Sequence, residues 1–202
     1  MAQDSSQPEF WDTRYRDHVT PWDAGGVPTD LRAFARTLAA ETRILIPGCG
    51  SGHEVILAES GLDVLAIDFS PQAIELAKQR MGSSADRVQL ADFFAFDPGP
   101  TPFEVIYERA FLCALPRALW PRYGERMADL LRPGKRLAGF FYYGDNPRGP
   151  PFGTSPAELH GLLGAAFELI EDRPATGSLP VFQGGERWQI WRRRPVADAA
   201  NR

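Results

Sequence analysis

Short, almost wholly apolar runs recur along the chain and alternate with segments in which apolar residues follow a helical period. Such runs are typical of strands buried on both faces of a parallel sheet, and the helical segments between them are typical of crossover helices. The predicted strands are 44–47, 62–67, 88–90, 103–107, 135–143, 167–172 and 187–193. The pattern predicts an α/β fold with a doubly wound, mostly parallel seven-stranded sheet, helices on both faces and an antiparallel edge formed by the last two strands.

Helices are predicted from apolar periodicity, capping residues and breakers at 8–17, 29–38, 53–60, 71–82, 117–131 and 155–164. Thr29, Ser70 and Ser155 are the expected N-caps of three of them. Prolines and glycines concentrate at 144–154 and 174–185, after or between late strands, where α/β proteins collect the loops that cover a site.

The chain has 202 residues, 44% of them hydrophobic, which suits one domain. We expect residues 1–9 to be disordered, 10–40 to form a helical lid region, and 41–194 to form a Rossmann-like core. The formal charge of -4 does not indicate the excess of basic residues that is typical of nucleic-acid-binding proteins. No apolar run is long enough to span a membrane, so we expect a cytoplasmic protein, and nothing demands more than a monomer.

The stretch that organises the rest is 43–53, where an apolar strand breaks into a loop with glycine at positions 48, 50 and 52. One βα unit later a second strand ends on Asp68. Glycines let the backbone approach a ligand, and an acid after the second strand accepts from ribose hydroxyls. This pair of features predicts a nucleotide or nucleoside site.

Details of the loop separate the classes of nucleotide site. A dinucleotide fingerprint needs a small residue where this chain has His53, which disfavours a nicotinamide-dependent oxidoreductase without excluding it. A phosphate-binding loop of the Walker type needs a lysine that is missing here. The three histidines and two cysteines lie far apart, so no metal site is expected. A non-catalytic binding module remains open.

Six stretches complete the set of motifs: Trp11-x3-Tyr15-x6-Trp22-Asp23, Ile46-Pro-Gly-Cys-Gly-Ser-Gly-His-Glu54, Asp68-Phe-Ser-Pro-Gln-Ala-Ile74, Ala91-Asp-Phe-Phe94, Tyr107-Glu-Arg-Ala-Phe-Leu-Cys-Ala-Leu-Pro116 and Gly149-Pro-Pro-Phe152. On these motifs the chain resembles, from about residue 10 to 193, the thiopurine S-methyltransferase family. This family is a branch of the class I S-adenosylmethionine-dependent methyltransferases that includes plant halide and thiol methyltransferases. The chain departs from its relatives at Tyr15, where some carry tryptophan, and at Glu108, where aspartate is common.

The resemblance implies a Rossmann-like methyltransferase fold and S-adenosyl-L-methionine as cofactor. The resemblance implies that an aromatic lid covers the methionine end of the cofactor, that the glycine loop faces it, and that further residues contact its ribose, adenine and carboxylate groups. In chain order the implied cofactor-binding residues are Trp11, Tyr15, Trp22, Gly48, Gly50, Gly52, Asp68, Phe69, Asp92, Phe93 and Arg109. An aromatic face attracts a sulfonium cation, which suits the lid, although aromatics at these positions also suit an ordinary core. Asp92 also suits a simple turn or cap.

The acceptor implied by the resemblance is a small soft nucleophile: a thiol, thiopurine, halide, or selenium or tellurium species. Candidate residues for positioning it are Arg109, Tyr142, Tyr143 and Arg187. The pleat of a strand turns only one of the two tyrosines toward a site, and Arg109 has the alternative of pairing with Glu108 or another acid. Methyl transfer from a sulfonium needs alignment and exclusion of water rather than a metal or a triad. The acceptor's identity stays open.

Overall fold

The computed structural model describes residues 4–195. The α-helices in this range are α1 Pro8–Arg16, α2 Thr29–Ala35, α3 Pro71–Met81, α4 Trp120–Leu130 and α5 Pro156–Leu163. The strands are β1 Arg43–Pro47, β2 Asp63–Asp68, β3 Val88–Leu90, β4 Phe103–Arg109, β5 Leu131–Tyr142, β6 Phe167–Pro174 and β7 Glu186–Arg193. No helix of the described residues is long and apolar enough to cross a membrane.

The strands form one seven-stranded sheet in the order β3-β2-β1-β4-β5-β7-β6. Neighbours from β3 to β5 are parallel, whereas β7 runs antiparallel to both β5 and β6. The predicted doubly wound sheet with an antiparallel edge is therefore confirmed. Because the strand order reverses between β1 and β4, the carboxyl ends of these two strands flank the crevice where sheets of this kind bind ligands.

The pleat of β1 divides the core into two layers. Ile44 and Ile46 point into the layer built with α2, α3 and a 3-10 helix at His53–Ser60, whereas Leu45 points into the layer covered by α4 and α5. All three are at most 3% exposed, as the apolar composition of the strand requires. Both faces of the sheet are thus covered, and its carboxyl edge is left for the site.

Several predicted boundaries were wrong. β5 begins at Leu131 rather than at 135, because Leu131 pairs with Phe103 before a register shift. The segment 53–60 is a 3-10 helix rather than an α-helix, and 117–131 divides into a 3-10 turn at Arg117–Leu119 and α4. Thr29 is the first residue of α2 and does not cap it, since Pro28 occupies the N-cap position.

The N-terminal segment is packed against the molecule from residue 4 onward. Ser5 is buried, and its carbonyl oxygen accepts a hydrogen bond from Nε1 of Trp11 at 2.9 Å. The prediction of disorder was therefore wrong for residues 4–9, because the indole anchors the segment that precedes it. Residues 1–3 lie outside the described range.

Candidate functional site

Asp68 organises the glycine loop from the end of β2. Its two carboxylate oxygens accept hydrogen bonds from the backbone N–H of Gly50 and of Ser70, each at 2.9 Å. Burial raises the pKa of Asp68 to about 6, although the N–H groups of Ser70 and Gly50 oppose this change. Since each carboxylate oxygen can accept more than one hydrogen bond, Asp68 retains acceptor capacity toward the cavity it lines.

Two glycines of the loop keep the cavity wall close to the backbone. Gly48 and Gly50 have φ angles of +59° and +53°, a region that favours glycine. A Cβ on Gly48 would lie 2.5 Å from Cδ2 of Phe111, and one on Gly50 would lie 2.6 Å from the hydroxyl oxygen of Tyr15. Any side chain at these two positions would therefore collide with Phe111 or Tyr15.

Gly52 does not line the cavity, although the resemblance implied a cofactor contact there. Its φ is +74°, and a Cβ at this position would lie 2.7 Å from Cβ of Ala77 in α3. This glycine allows the loop to pack closely on the helix.

An aromatic lid covers the loop from the N-terminal side. Trp22 packs edge-on against Trp11 and Tyr15, with ring centroids 5.4 Å and 6.0 Å away, and its Nε1 donates to the Tyr15 hydroxyl at 3.3 Å. Asp12 of α1 accepts from the Ser70 hydroxyl at 2.5 Å, which ties α1 to the start of α3. The three predicted lid residues thus come together and all line the cavity.

Asp23 connects the lid to the loop. Its carboxylate accepts a hydrogen bond from the Ser51 hydroxyl and lies 3.1 Å from Nε2 of His53. Burial lowers the pKa of His53, while the charge of Asp23 opposes that effect. His53 therefore serves a polar contact of the loop, as its position at the helix start suggested.

The lid, the loop and the ends of β1, β2 and β4 enclose a cavity of about 450 Å³. This volume lies in the range of roughly 300–1,000 Å³ typical of small-molecule sites. At one end Phe69, Asp92 and Phe93 line the wall. Phe93 is buried against Phe111, and Asp92 is exposed and accepts from the backbone N–H of Phe94 at 2.9 Å.

The opposite end of the cavity has an apolar wall. It is formed by residues from the segments that follow β4 and β5 and precede β7: Cys113, Leu115, Pro150, Pro151, Val181 and Phe182. The loops predicted to cover a site, 144–154 and 174–185, therefore both contribute to it.

Arg109 lines the cavity at the end of β4 and is held by a buried acid. Its Nε donates to Oε1 of Glu186 at 3.3 Å, and both side chains are at most 6% exposed. The guanidinium also lies 4.5 Å from the ring centroid of Phe140. Glu186 in turn accepts from the backbone N–H of Leu179 at 2.9 Å. The partner of Arg109 is thus Glu186 and not its sequence neighbour Glu108.

Two carboxyl groups at the site titrate far from their usual range. Burial raises the pKa of Glu54, which lines the cavity, to about 7. Burial likewise raises the pKa of Glu108 to about 7, and the charge of Glu186 adds to the effect. Sequence reasoning missed Glu54, Glu186 and Tyr107 as site residues. The available signals were the position of Glu54 inside the glycine motif and that of Tyr107 at the start of the motif 107–116.

Tyr142, Tyr143 and Arg187 do not line the cavity. Tyr142 packs behind it against Phe182, with ring centroids 5.4 Å apart. The Tyr143 hydroxyl accepts from Nε2 of Gln189 at 2.7 Å. Arg187 forms a 2.6 Å ion pair with Asp172 across the antiparallel edge. The contacts of these three side chains are with Phe182, Gln189 and Asp172, and of these partners Phe182 alone lines the cavity.

The described residues contain no group of three or more His, Cys, Asp or Glu side chains placed to hold a metal ion. Both cysteines are buried, and burial raises the thiol pKa of each well above its ordinary value. The arrangement suits the binding and alignment of two small molecules in one cavity.

The family model described as Thiopurine S-methyltransferase matches residues 6–194. The chain is 28% identical over 193 residues to thiocyanate methyltransferase 1 of Brassica oleracea, covering 91% of this chain and 84% of the relative. It is 32% identical over 198 residues to a thiopurine S-methyltransferase of Xanthomonas campestris pv. campestris (strain 8004), covering 87% and 91%. Relatives with these names do not favour the nicotinamide or the non-catalytic interpretation.

A solved structure gives the same picture of the fold. The 1,6-didemethyltoxoflavin-N1-methyltransferase of Burkholderia thailandensis, with bound 1,6-didemethyltoxoflavin and S-adenosylhomocysteine, is similar with a TM-score of 0.68. The sequences are 21% identical, and the similarity covers 93% of this chain and 87% of the other.

Proposed function

Because the chain belongs to the thiopurine S-methyltransferase family, we propose that its cavity holds the methyl donor and the methyl acceptor side by side. The chain is an S-adenosylmethionine-dependent methyltransferase that acts on a small soft nucleophile. The proposal concerns where in the cavity the methyl donor and the methyl acceptor bind, and which class of acceptor is used. The observation that carries the proposal is one continuous cavity with a polar, glycine-lined end and an apolar end.

The residues present fit the cofactor at the end formed by β1, β2 and β3. Asp68 offers acceptor capacity for ribose hydroxyls, and Phe93 offers an apolar face for adenine. Gly48 and Gly50 present backbone alone to the cavity, because Phe111 and Tyr15 occupy the positions that their Cβ atoms would take, and bare backbone suits close approach of a ligand to the loop. Asp92 can accept from the adenine amino group.

The aromatic lid fits the positively charged end of the cofactor. When bound, S-adenosylmethionine supplies a methyl group on a sulfonium, which is already an activated leaving group. Trp11 and Trp22 offer aromatic surface to that cation, and their edge-on packing holds the rings in place. The lid and loop also exclude water, and the chain contributes to the rate chiefly by alignment.

The acceptor fits the apolar end, beside Arg109 and between the two loop segments. Val181, Phe182 and Pro151 suit a small acceptor whose reacting atom is sulfur and whose remainder is apolar. The residues proposed to align it are these wall residues and Arg109, rather than Tyr142, Tyr143 or Arg187.

We also propose that the enzyme is a cytoplasmic monomer. Cell fractionation would test its location, and sedimentation would test its oligomeric state.

The test of the cofactor end uses two matched turns. Asp92 and Asp97 are both exposed, and each accepts from the backbone N–H two residues on at 2.9 Å, but only Asp92 lines the cavity. We expect Asp92→Ala to weaken binding of S-adenosylhomocysteine about fivefold to tenfold by calorimetry, since one hydrogen bond is lost. Asp97→Ala should leave the affinity unchanged. Equal affinities for all three proteins would contradict the adenine contact.

The test of the acceptor class is a panel assayed for release of S-adenosylhomocysteine. The panel contains alkyl and aryl thiols, a thiopurine, thiocyanate, iodide, and oxygen and nitrogen nucleophiles of matched size. We expect turnover with sulfur acceptors above all others, because the acceptor wall is apolar. Preferred turnover of an amine or an alcohol would refute the proposal.

A further inference from the structure

Glu54 and Tyr107 bring a carboxyl group and a hydroxyl group to the middle of the cavity wall. The Tyr107 side chain is 2% exposed, and its hydroxyl has no hydrogen-bond partner among residues 4–195. Both side chains line the cavity; burial raises the pKa of Tyr107 well above its ordinary value, and the charge of Glu54 adds to this effect. A buried, unpartnered hydroxyl in the wall of a cavity points to a ligand atom as its partner.

The order of the strands places this pair beside the acceptor. Glu54 follows the loop after β1, and Tyr107 lies near the end of β4, so both flank the crevice between these strands. The proposed adenosine contacts lie on one side, at β2 and β3, and the apolar acceptor wall lies on the other. This step rests on the proposed function, which puts the reacting atoms where the two ends meet.

The charges around Glu54 leave it a proton acceptor near neutral pH. Arg109 is the cation that acts most on it, but Glu186 holds that guanidinium. Arg80 also favours the carboxylate while donating to the carbonyl of Ser51, and Asp23 disfavours it. The uncharged neighbours are the Tyr107 hydroxyl and the Cys49 thiol. Burial outweighs these charges and raises the pKa of Glu54 to about 7.

We propose that the acceptor enters as a neutral thiol and that Glu54 takes its proton while Tyr107 donates a hydrogen bond to the sulfur. The S–H bond breaks, the proton goes to the Glu54 carboxylate, and the electron pair stays on the acceptor sulfur. That pair forms the new sulfur–methyl bond as the bond from the methyl carbon to the sulfonium breaks, its electrons remaining on the departing sulfur. Glu54 then returns the proton to solvent.

The same carboxylate selects against inorganic anions. Thiocyanate and halide ions carry no proton to give, and an ionised Glu54 repels them. A neutral thiol avoids this repulsion because its proton transfer leaves the charge of the pair unchanged. This chain should therefore prefer thiols to thiocyanate above the pKa of Glu54.

The test compares Glu54→Gln with Glu59→Gln, an exposed glutamate of the same 3-10 helix. The acceptors are an alkyl thiol of the panel and thiocyanate. At pH 7 we expect Glu54→Gln to lose about 100-fold in kcat/KM for the thiol, the lower range for a lost general base. Turnover of thiocyanate should be unchanged or improved. The loss should shrink as the pH approaches the pKa of the free thiol, because the thiol then ionises in solution.

Binding gives a readout that does not depend on turnover. Calorimetry of thiocyanate with the S-adenosylhomocysteine complex should show affinity falling about fivefold from pH 6 to pH 8 in the unmodified protein, as Glu54 ionises. Glu54→Gln should abolish that dependence, and Glu59→Gln should keep it. Glu54→Asp, which retains the carboxyl group, should recover part of the thiol activity if Glu54→Gln folds poorly.

Several results would overturn the assignment. Equal losses with both acceptors, or a rise in the KM for S-adenosylmethionine alone, would assign Glu54 to the cofactor. Unchanged thiol kinetics in Glu54→Gln would remove it from the reaction. Turnover of thiocyanate but of no thiol would refute the neutral acceptor, whereas no product with any acceptor of the panel would refute the proposed function and this inference with it.

Discussion

Glu108 should make the fold less stable as the pH rises, and Glu108→Gln should remove that loss. The side chain is 1% exposed, its Oε1 accepts from the backbone N–H of Phe111 and Leu112 at 2.9 Å and 3.1 Å, and its Oε2 has no partner in residues 4–195. Burial raises the pKa of Glu108 to about 7, against about 4.3 in an unfolded chain. The folded state therefore binds more protons than the unfolded state between these values, and stability falls as the pH rises through this window.

The size of the effect follows from the pKa difference. At roughly 1.4 kcal/mol per pKa unit, the ionisation of Glu108 costs about 2–3 kcal/mol of unfolding free energy between pH 5 and pH 8. Glutamine keeps the Oε1 acceptor for the two N–H groups and carries no charge at any pH. The free energy of unfolding of Glu108→Gln relative to the unmodified protein should therefore rise by about 2–3 kcal/mol across this range.

The assay is urea denaturation at pH 5, 6, 7 and 8, with the slope m checked for constancy. Glu104→Gln is the matched control on the same strand, because the 2.6 Å hydrogen bond and ion pair with Lys135 lower the pKa of Glu104. The stabilising effect of the Glu104 carboxylate is gained as the pH rises to about 4.3, the pKa of an unfolded glutamate, and is fully present above it. The difference in unfolding free energy between Glu104→Gln and the unmodified protein should therefore stay nearly constant from pH 5 to pH 8. A difference for Glu108→Gln that stays constant from pH 5 to pH 8 would refute the reasoning.

Two further predictions concern the same strand and its neighbour. Gly139→Ala should destabilise the protein by about 3 kcal/mol or more in urea denaturation, because the new Cβ would lie 1.9 Å from the carbonyl oxygen of Glu108. Its control is Gly161→Ala on α5, where a Cβ would meet no other atom, and this variant should be neutral or slightly stabilising. Arg109→Met should cost about 3 kcal/mol at pH 8 by leaving Glu186 buried without its cation, and adding Glu186→Gln should recover most of that loss in a double-mutant cycle. Full additivity of these two changes would contradict the coupling.

Local sequence patterns predicted the frame of the site well. Ile44, Leu45 and Ile46 form an apolar run that only a strand buried on both sides explains, and they are all buried. The glycine loop and Asp68 belong to two consecutive elements, so their meeting follows from the βα unit alone. The aromatic lid was implied by the family resemblance, and its three residues, Trp11, Tyr15 and Trp22, lie within 12 residues of one another.

The acceptor end could not be predicted, because its contacts join residues distant along the chain. Arg109 and Glu186 are 77 residues apart and meet only because β7 lies antiparallel beside β5. The direction in which Tyr142 points depends on the register of β5, whose start was misplaced by four residues. Gly52 matched a motif, yet its close contact is with Ala77, a residue that no pattern around the loop identifies.

The costs of the fold are concentrated in four consecutive residues at the end of β4, of which Tyr107, Arg109 and Ala110 line the cavity. Tyr107 has an unpartnered hydroxyl, Glu108 an unpartnered carboxylate oxygen, and Ala110 a left-handed φ of 57° that is rare outside glycine. Arg109 places a guanidinium in the interior, where it pairs with Glu186 and lies against Phe140. β4 can bear these costs because it is hydrogen-bonded on both sides, to β1 and β5. A ligand that accepts a hydrogen bond from Tyr107 would recover part of the cost, so a bound acceptor should raise the free energy of unfolding.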